Sequence, residues 1–171
     1  MKTIILSILA LVLVSCGKSA QWTGNCNSAY KFYSSNVTVT IDSSAEYLSS
    51  EIIESVNDIN STIGYQLITI SSSSENVIRV NELDKTNRNL IKGLKDGTTE
   101  VDFKNFVPLN FTITINPLTN ANIKSVITHE LIHALGLKHS NNPASIMYMY
   151  SHSAPTQIDT ETANNLSCLY K

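Results

Sequence analysis

Residues 129–139 read HELIHALGLKH, a stretch that holds three histidines and one glutamate at fixed offsets. An α-helix has 3.6 residues per turn, so His129 and His133 lie one turn apart on the same face and can bind one metal ion together. Glu130 follows the first of these histidines and can reach a water molecule activated by the metal without itself being a ligand. The pattern therefore predicts a metal-binding helix that carries a general base beside the metal.

Gly136 and His139 extend this pattern beyond the helix. Glycine adopts left-handed backbone angles at little cost, so Gly136 predicts the end of the helix and a turn that returns His139 to the same metal. Three imidazole nitrogens and one open position are typical of a catalytic zinc, whereas a structural zinc has four protein ligands. HExxH alone also occurs by chance in amphipathic helices, but the added glycine and histidine make the zinc interpretation much more specific.

The first residues predict an export signal rather than part of a folded domain. Lys2 precedes an apolar run at residues 4–14, which is too short to span a bilayer and is typical of a secretory signal peptide. Residues 13–16 (LVSC) resemble the lipobox of bacterial lipoproteins, with cleavage before Cys16 and acylation of that residue. The alternative is an ordinary signal peptide that is cleaved near residues 18–20.

Length and composition fit one domain after this leader. The chain has 171 residues, 42% of them hydrophobic, and a formal net charge of −2, so a core can form and no excess of positive charge indicates nucleic-acid binding. We expect a lipoprotein signal peptide at residues 1–15, a tether or short pro-segment at 16–35 and the folded domain at 36–171. The mature protein would be a monomer anchored by lipid to a bacterial membrane, at the periplasmic face or on the cell surface.

The chain contains three cysteines, and lipidation accounts for Cys16. Cys26 and Cys168 lie near the two ends of the expected domain, where one disulfide would close a long loop in an oxidising compartment. The alternative is a cysteine switch, in which the Cys26 thiolate binds the zinc and keeps an enzyme latent. The sequence leaves both arrangements open.

Hydrophobic periodicity predicts strands and a helix before the metal-binding helix. Three segments rich in β-branched residues read as strands: residues 37–41, 65–70 and 76–80. Residues 47–59 have apolar side chains at helical spacing, and this helix is expected to end near Gly64. Residues 83–104 lack clear periodicity and predict a long surface loop with a short strand at residues 99–103.

Residues 111–115 (FTITI) predict one more strand, which ends at Asn116 and Pro117 because proline cannot donate to a ladder. If this strand lies at the edge of the sheet, an extended peptide can pair with it; the alternative is a covered internal strand. Asn122 follows at the position of a helix N-cap and is expected to begin the metal-binding helix.

The pattern HExxHxxGxxH is the signature of the metzincin metalloproteases, and the residues after it resemble the matrixin branch of that group. Ser140 directly follows the third histidine, and Met147 comes eight positions after it in residues 145–148 (SIMY), which is similar to the Met-turn of matrixins. Residues 158–170 (IDTETANNLSCLY) also resemble the last matrixin helix. The resemblance extends over residues 37–170.

This resemblance implies an α+β fold with a twisted, mostly parallel sheet, an antiparallel edge strand, a backing helix, an active-site helix and a C-terminal helix after the Met-turn. It also implies a zinc-dependent endopeptidase that hydrolyses peptide bonds of proteins through a metal-activated water. The implied zinc ligands are His129, His133 and His139. Glu130 would be the general base, and Met147 would lie beneath the site. A non-catalytic zinc-containing binding protein on the same scaffold, or a protease restricted to one partner protein, are the alternatives.

The chain departs from the matrixin pattern at several positions. Ile132 precedes the second histidine where matrixins usually have glycine, and no upstream loop rich in His and Asp matches the structural zinc and calcium sites of the family. We therefore expect the catalytic zinc alone. Met149 stands two positions after the methionine of the Met-turn, where astacins and serralysins carry a zinc-binding tyrosine, which argues against a tyrosine ligand. His152 is expected on the surface or at the rim of a pocket.

Overall fold

The computed structural model describes residues 26–32, 34, 36–80, 96–149 and 155–171. The predictions about the leader, Cys16 and His152 lie outside these residues. The elements of the described part are β1 (Val37–Ile41), a 3-10 helix (Ser43–Leu48), α1 (Ser49–Ile63), β2 (Ile68–Ile70), β3 (Val77–Val80), β4 (Gly97–Lys104), β5 (Val107–Ile115), α2 (Ile123–Ala134) and α3 (Thr160–Tyr170). Among them no helix is both long and apolar enough to cross a membrane.

The strands form one mixed sheet in the order β2-β1-β3-β5-β4. The pairs β1 with β2, β1 with β3 and β3 with β5 are parallel, and β4 runs antiparallel to β5 at one edge. Parallel neighbours need a crossover connection, which α1 supplies between β1 and β2. This arrangement confirms the predicted α+β fold with a mostly parallel sheet and an antiparallel edge strand.

The edge strand next to residues 111–115 is β4, which is the antiparallel strand, and residues 111–115 themselves do not lie at an edge of the sheet. β5, which contains residues 111–115, pairs with β3 on one side and β4 on the other. Residues 111–115 therefore belong to an internal strand, which was the alternative prediction. The short strand predicted at residues 99–103 is confirmed and is longer than predicted, because residues 97–104 form β4. Residues 83–95 of the predicted loop lie outside the described residues. Asn105 and Phe106 join β4 to β5 with φ of 52° and 66°. A bulky residue is uncommon at positive φ, and Phe106 stands where a two-residue hairpin turn that begins with asparagine usually has glycine.

The core is one cluster that joins the sheet to the helices. Ile52 and Ile59 of α1, Leu131 of α2 and Ile113 and Ile115 of β5 are all completely buried within it. Complete burial of one such side chain contributes about 1.5–3 kcal/mol. The cluster therefore anchors α2, the helix of the HELIHALGLKH stretch, against the sheet and α1.

Two predicted helix boundaries are confirmed. Gly64 follows α1 with a φ of 88°, and its N–H donates to the Asn60 carbonyl oxygen at 2.8 Å. Asn122 precedes α2, and its Oδ1 accepts a hydrogen bond from the Ser125 N–H at 3.1 Å. Both contacts pair backbone groups that the end of a helix would otherwise leave without partners.

A disulfide joins Cys26 to Cys168 in the structure. Their Cα atoms lie 5.8 Å apart, although the residues are 142 positions apart in sequence. Of the two arrangements that the sequence left open for Cys26, the structure thus has the disulfide, which ties the first described residues to α3.

Candidate functional site

The three histidines of the HELIHALGLKH stretch meet at one point. His129 and His133 lie on α2, His139 lies beyond the turn after it, and the candidate ligand atoms of all three are within 4.8 Å of one another. The Nε2 atoms of His133 and His139 are 3.1 Å apart. Two nitrogens on one tetrahedral zinc with Zn–N bonds of about 2.0–2.1 Å are separated by about 3.3 Å. The spacing of the nitrogens therefore fits a single zinc ion.

Backbone carbonyl groups orient two of these imidazoles. The Nδ1 atom of His129 lies 2.6 Å from the Ile146 carbonyl oxygen, and Nδ1 of His133 lies 2.8 Å from the Leu137 carbonyl oxygen. A carbonyl oxygen only accepts hydrogen bonds, so Nδ1 carries the proton in both rings. In the neutral ring Nε2 is then the unprotonated nitrogen, which is the atom that binds a metal, and the carbonyl bond holds the ring in place.

The surroundings of His129 also favour its neutral form. Burial lowers the pKa of His129, and the hydrogen bond to the Ile146 carbonyl opposes this effect without cancelling it. A lower pKa keeps the imidazole neutral near pH 7, as metal binding requires. His139, by contrast, is exposed. The cluster is therefore open to solvent on the His139 side.

Gly136 turns the chain from α2 toward His139. Its φ is 105°, and its N–H donates to the His133 carbonyl oxygen at 2.8 Å. A Cβ at this position would overlap the carbonyl oxygen of Tyr30, whose side-chain hydroxyl donates to the His133 carbonyl at 2.5 Å. Glycine is thus required both for the backbone conformation and for space.

The first described segment of the chain runs alongside the residues that lead to His139. The Ala29 N–H donates to the Gly136 carbonyl at 2.7 Å, and the Lys138 N–H donates to the Asn27 carbonyl at 3.1 Å. The Asn27 side-chain amide donates to the His139 carbonyl at 3.2 Å. The segment after the disulfide therefore supports the backbone of the third histidine. No sequence motif marks this segment. The only indication of it in the sequence was the expected pairing of Cys26 with Cys168.

Glu130 is buried, with 7% of its surface exposed, between α2 and the edge strand β4. The Thr99 hydroxyl lies 2.6 Å from Glu130 Oε2 and 3.0 Å from the Glu130 carbonyl oxygen. Gly97 precedes Thr99 by two residues, and a Cβ there would lie 2.7 Å from Glu130 Cγ. The edge strand thus contacts the glutamate directly. The sequence identified Glu130 but not its contacts with Thr99 and Gly97, because these residues are about thirty positions away in the chain.

The predicted Met-turn contacts the histidine segments through its backbone. Met147 is 1% exposed, and its carbonyl oxygen accepts from the Ser140 N–H at 2.8 Å, directly after the third histidine. The preceding residue, Ile146, supplies the carbonyl that orients His129. The role of the Met147 side chain as a floor beneath the three histidines stays a prediction.

Asp159 connects the Met-turn to the start of α3. Its Oδ2 accepts from the Ser145 hydroxyl and the Ile146 N–H, each at 2.9 Å, and its Oδ1 accepts from the Thr162 N–H at 3.0 Å. Burial by itself would raise the pKa of Asp159, but these hydrogen bonds outweigh it and hold the pKa below its usual value. The ionised carboxylate thus ties α3 to the peptide that orients His129.

The structure brings together four of the predicted site residues: His129, Glu130, His133 and His139. Within the described part of the chain, no second group of three or more His, Cys, Asp or Glu side chains converges in this way. Met149, at the position of a tyrosine ligand in astacins, has 56% of its surface exposed. Three histidine ligands with a glutamate beside them can bind a zinc ion and activate water for hydrolysis.

Two solved structures share this fold. Archaemetzincin from Methanopyrus kandleri superposes with a TM-score of 0.51 and 11% identity, over 78% of this chain and 95% of that chain. High choriolytic enzyme 1, a hatching enzyme zinc-protease from Oryzias latipes, superposes with a TM-score of 0.51 and 15% identity, over 90% of this chain and 98% of that chain. At these identities the similarity is one of fold.

Sequence comparison is more specific than the fold. Macrophage metalloelastase from Rattus norvegicus is 42% identical over 52 residues, which cover 29% of this chain and 11% of that protein. The aligned part is thus about one ninth of that relative's length. The matrixin family model matches residues 29–171, which is most of the chain and includes every described element. The predicted resemblance is therefore confirmed, and the chain belongs to the matrixin family.

Proposed function

We propose that this protein is a zinc-dependent endopeptidase that hydrolyses peptide bonds of protein substrates. The observation that carries the proposal is the convergence of three histidine nitrogens on one point with a buried glutamate beside them. His129, His133 and His139 would hold the zinc, which when bound supplies a Lewis acid that polarises the scissile carbonyl and acidifies a water molecule. Membership of the matrixin family supports the same activity.

Glu130 is the general base in this proposal. It follows His129 on α2, so its side chain leaves the helix beside the histidine pair rather than between the two ligands. Its carboxylate removes a proton from the attacking water and later delivers it to the nitrogen of the departing amine. The peptide C–N bond breaks as the nitrogen receives this proton, so the amine leaves as a neutral group and no acyl-enzyme forms.

The edge strand β4 is the expected binding place for an extended substrate. In the part of the chain that the structure describes, β4 pairs with β5 on one side only, and it contacts Glu130 of α2. A peptide that adds to this edge can form main-chain hydrogen bonds with it. The strand that we expect to pair with a peptide is therefore β4, and not residues 111–115 as the sequence suggested.

Glu130→Gln tests the assignment of the base, because it removes the proton acceptor and keeps the size of the side chain. We expect peptide hydrolysis to fall by roughly 10²–10⁴-fold, with zinc still bound at wild-type stoichiometry. The assay is mass spectrometry of a denatured-protein mixture in metal-controlled buffer. Glu46→Gln, at an exposed position of the 3-10 helix, is the matched control.

The outcomes of this assay separate the candidate functions. Many zinc-dependent cuts that vanish in Glu130→Gln support the endopeptidase. Wild-type turnover by Glu130→Gln would show that another group is the base. No cut by the zinc-loaded wild-type protein would favour a binding protein on the same scaffold, and cuts in a single substrate would favour a protease restricted to one partner.

We also propose that the protein is exported and anchored to a bacterial membrane by a lipid on Cys16. The support is the sequence alone, in which residues 13–16 read LVSC after an apolar run. In bacterial cells the wild-type protein should incorporate a palmitate analogue and sediment with membranes, whereas Cys16→Ser should do neither. Glu46→Gln, at an exposed position, is the control that must keep the label. Label in Cys16→Ser would contradict the anchor.

A further inference from the structure

Two residues of the edge strand face the same part of α2. Side chains alternate across a strand, so Gly97 and Thr99 point to one face of β4. On that face Thr99 bonds Glu130, and a Cβ at Gly97 would lie 2.7 Å from Glu130 Cγ and 3.0 Å from Val126 Cγ1. We propose that Thr99, with the space left by Gly97, positions the Glu130 carboxylate for proton transfer. This inference rests on the function proposed above.

The hydrogen bond from Thr99 restricts the rotation of the carboxylate. A hydroxyl has one proton to donate, and Thr99 has two acceptors within reach: Glu130 Oε2 at 2.6 Å and the Glu130 carbonyl oxygen at 3.0 Å. An ionised acceptor forms the shorter and stronger bond, so Thr99 donates to Oε2. The last torsion of a free glutamate side chain is broad, and this bond restricts it before the substrate arrives.

Gly97 provides the room that this arrangement needs. An added Cβ would lie 2.7 Å from Glu130 Cγ and 3.0 Å from Glu130 Oε1, distances at which the glutamate must shift. The backbone of Gly97 is not in the left-handed region, so space rather than conformation accounts for the glycine. A glycine inside a strand marks a close approach by another element, and that element is α2.

The kinetic test compares two substitutions on β4 with a control substitution on β2. Thr99→Val removes the hydroxyl and keeps the shape, and we expect kcat to fall about tenfold or more while KM and zinc stoichiometry stay unchanged. Thr99→Ser restores the donor and should return most of the lost kcat. Thr69→Val makes the same change on β2, at the opposite edge of the sheet, and should leave both constants unchanged. An unchanged kcat in Thr99→Val, or a loss that Thr99→Ser does not rescue, would overturn the proposal.

A second readout does not depend on turnover. In protein labelled with ¹³C at the glutamate carboxyl carbon, the Glu130 resonance is identified by its loss in Glu130→Gln. We expect this resonance to move in Thr99→Val and in Gly97→Ala, and to stay in place in Thr99→Ser and Thr69→Val. An unmoved resonance in both Thr99→Val and Gly97→Ala would overturn the positioning role.

The two readouts distinguish failure of this inference from failure of the proposed function. If the zinc-loaded wild-type protein cleaves no peptide, the endopeptidase proposal fails, and the carboxyl resonance still decides whether the edge strand holds Glu130. If the wild-type protein is active and Thr99→Val keeps its kcat, the endopeptidase proposal stands and Thr99 is not a positioning residue.

Discussion

Replacement of Gly136 by alanine should weaken the fold and the metal site together. The φ of Gly136 is 105°, and a β-carbon on left-handed backbone costs about 1–2 kcal/mol. That carbon would also overlap the Tyr30 carbonyl oxygen and lie 2.9 Å from the Tyr30 carbonyl carbon. Backbone atoms cannot rotate away, so we add about 1–3 kcal/mol for overpacking. The free energy of unfolding should therefore fall by about 2–5 kcal/mol.

Gly64→Ala is the matched control for this change. Gly64 also has a positive φ, 88°, but a Cβ there would meet only the flexible Lys171 side chain, at 3.9 and 4.0 Å. We expect the free energy of unfolding of Gly64→Ala to fall by about 1–2 kcal/mol, from the backbone conformation alone. Urea unfolding of both variants with a zinc chelator present excludes any contribution from metal. The difference between the variants then measures the overlap with Tyr30.

Zinc affinity is the second measurement on the same variants. The turn at Gly136 sets where His139 lies relative to the two histidines of α2, so a displaced turn moves one ligand away from the others. We expect Gly136→Ala to bind zinc about tenfold or more weakly, as when the support of a ligand is lost. Gly64→Ala should bind zinc like the wild-type protein. An equal decrease in the free energy of unfolding in the two variants, or an unchanged zinc affinity in Gly136→Ala, would refute this reasoning.

Three further predictions concern the metal, the disulfide and pH. Zinc at 100 times its Kd should raise the free energy of unfolding by about 2.7 kcal/mol, and thermal unfolding should show that His139→Ala loses this rise. Replacing Cys26 and Cys168 together by serine should lower the free energy of unfolding by about 2–5 kcal/mol, because the disulfide closes a long loop; an unchanged value in urea would show that the two residues are not paired. The folded pKa of Asp159 lies below its unfolded value, so its stabilising effect is complete well above pH of about 4 and is lost as pH falls through the lowered pKa. Asp159→Ala should therefore cost about 0.5–2 kcal/mol at neutral pH, and its unfolding curve should converge with that of the wild-type protein in acid; a difference that does not change with pH would count against this role.

The metal ligands could be predicted from the sequence because their geometry is local. His129 and His133 are related by one turn of a helix, and a glycine three positions later marks where the chain turns back to His139. Asn122 begins the same helix through a contact with a residue three positions away. Each of these relations spans at most one or two helical turns, so residue type and spacing were sufficient.

The sequence predicted a short strand at residues 99–103, but not its full length, its pairing with β5 or its place at the edge of the sheet. The Asn105-Phe106 turn has the asparagine that is common in a two-residue hairpin, but a bulky residue at positive φ where glycine usually follows. β4 also has exposed residues along most of its length, which weakens the apolar alternation of a strand. Its pairing with β5 and its packing against α2 stabilise a strand that is longer, at residues 97–104, than the one predicted from the local pattern.

The sequence by itself determined which side chains could bind a metal ion, which glutamate stands beside them and to which family the chain is similar, because these depend on residue identity at short spacing. Only the tertiary structure decided what holds those side chains in place: Thr99 against Glu130, Asn27 against His139, and Asp159 against the peptide that orients His129. Each of these contacts joins residues that are distant in sequence. Such pairs become neighbours only when the sheet, the helices and the disulfide have packed together, so no local pattern contains them.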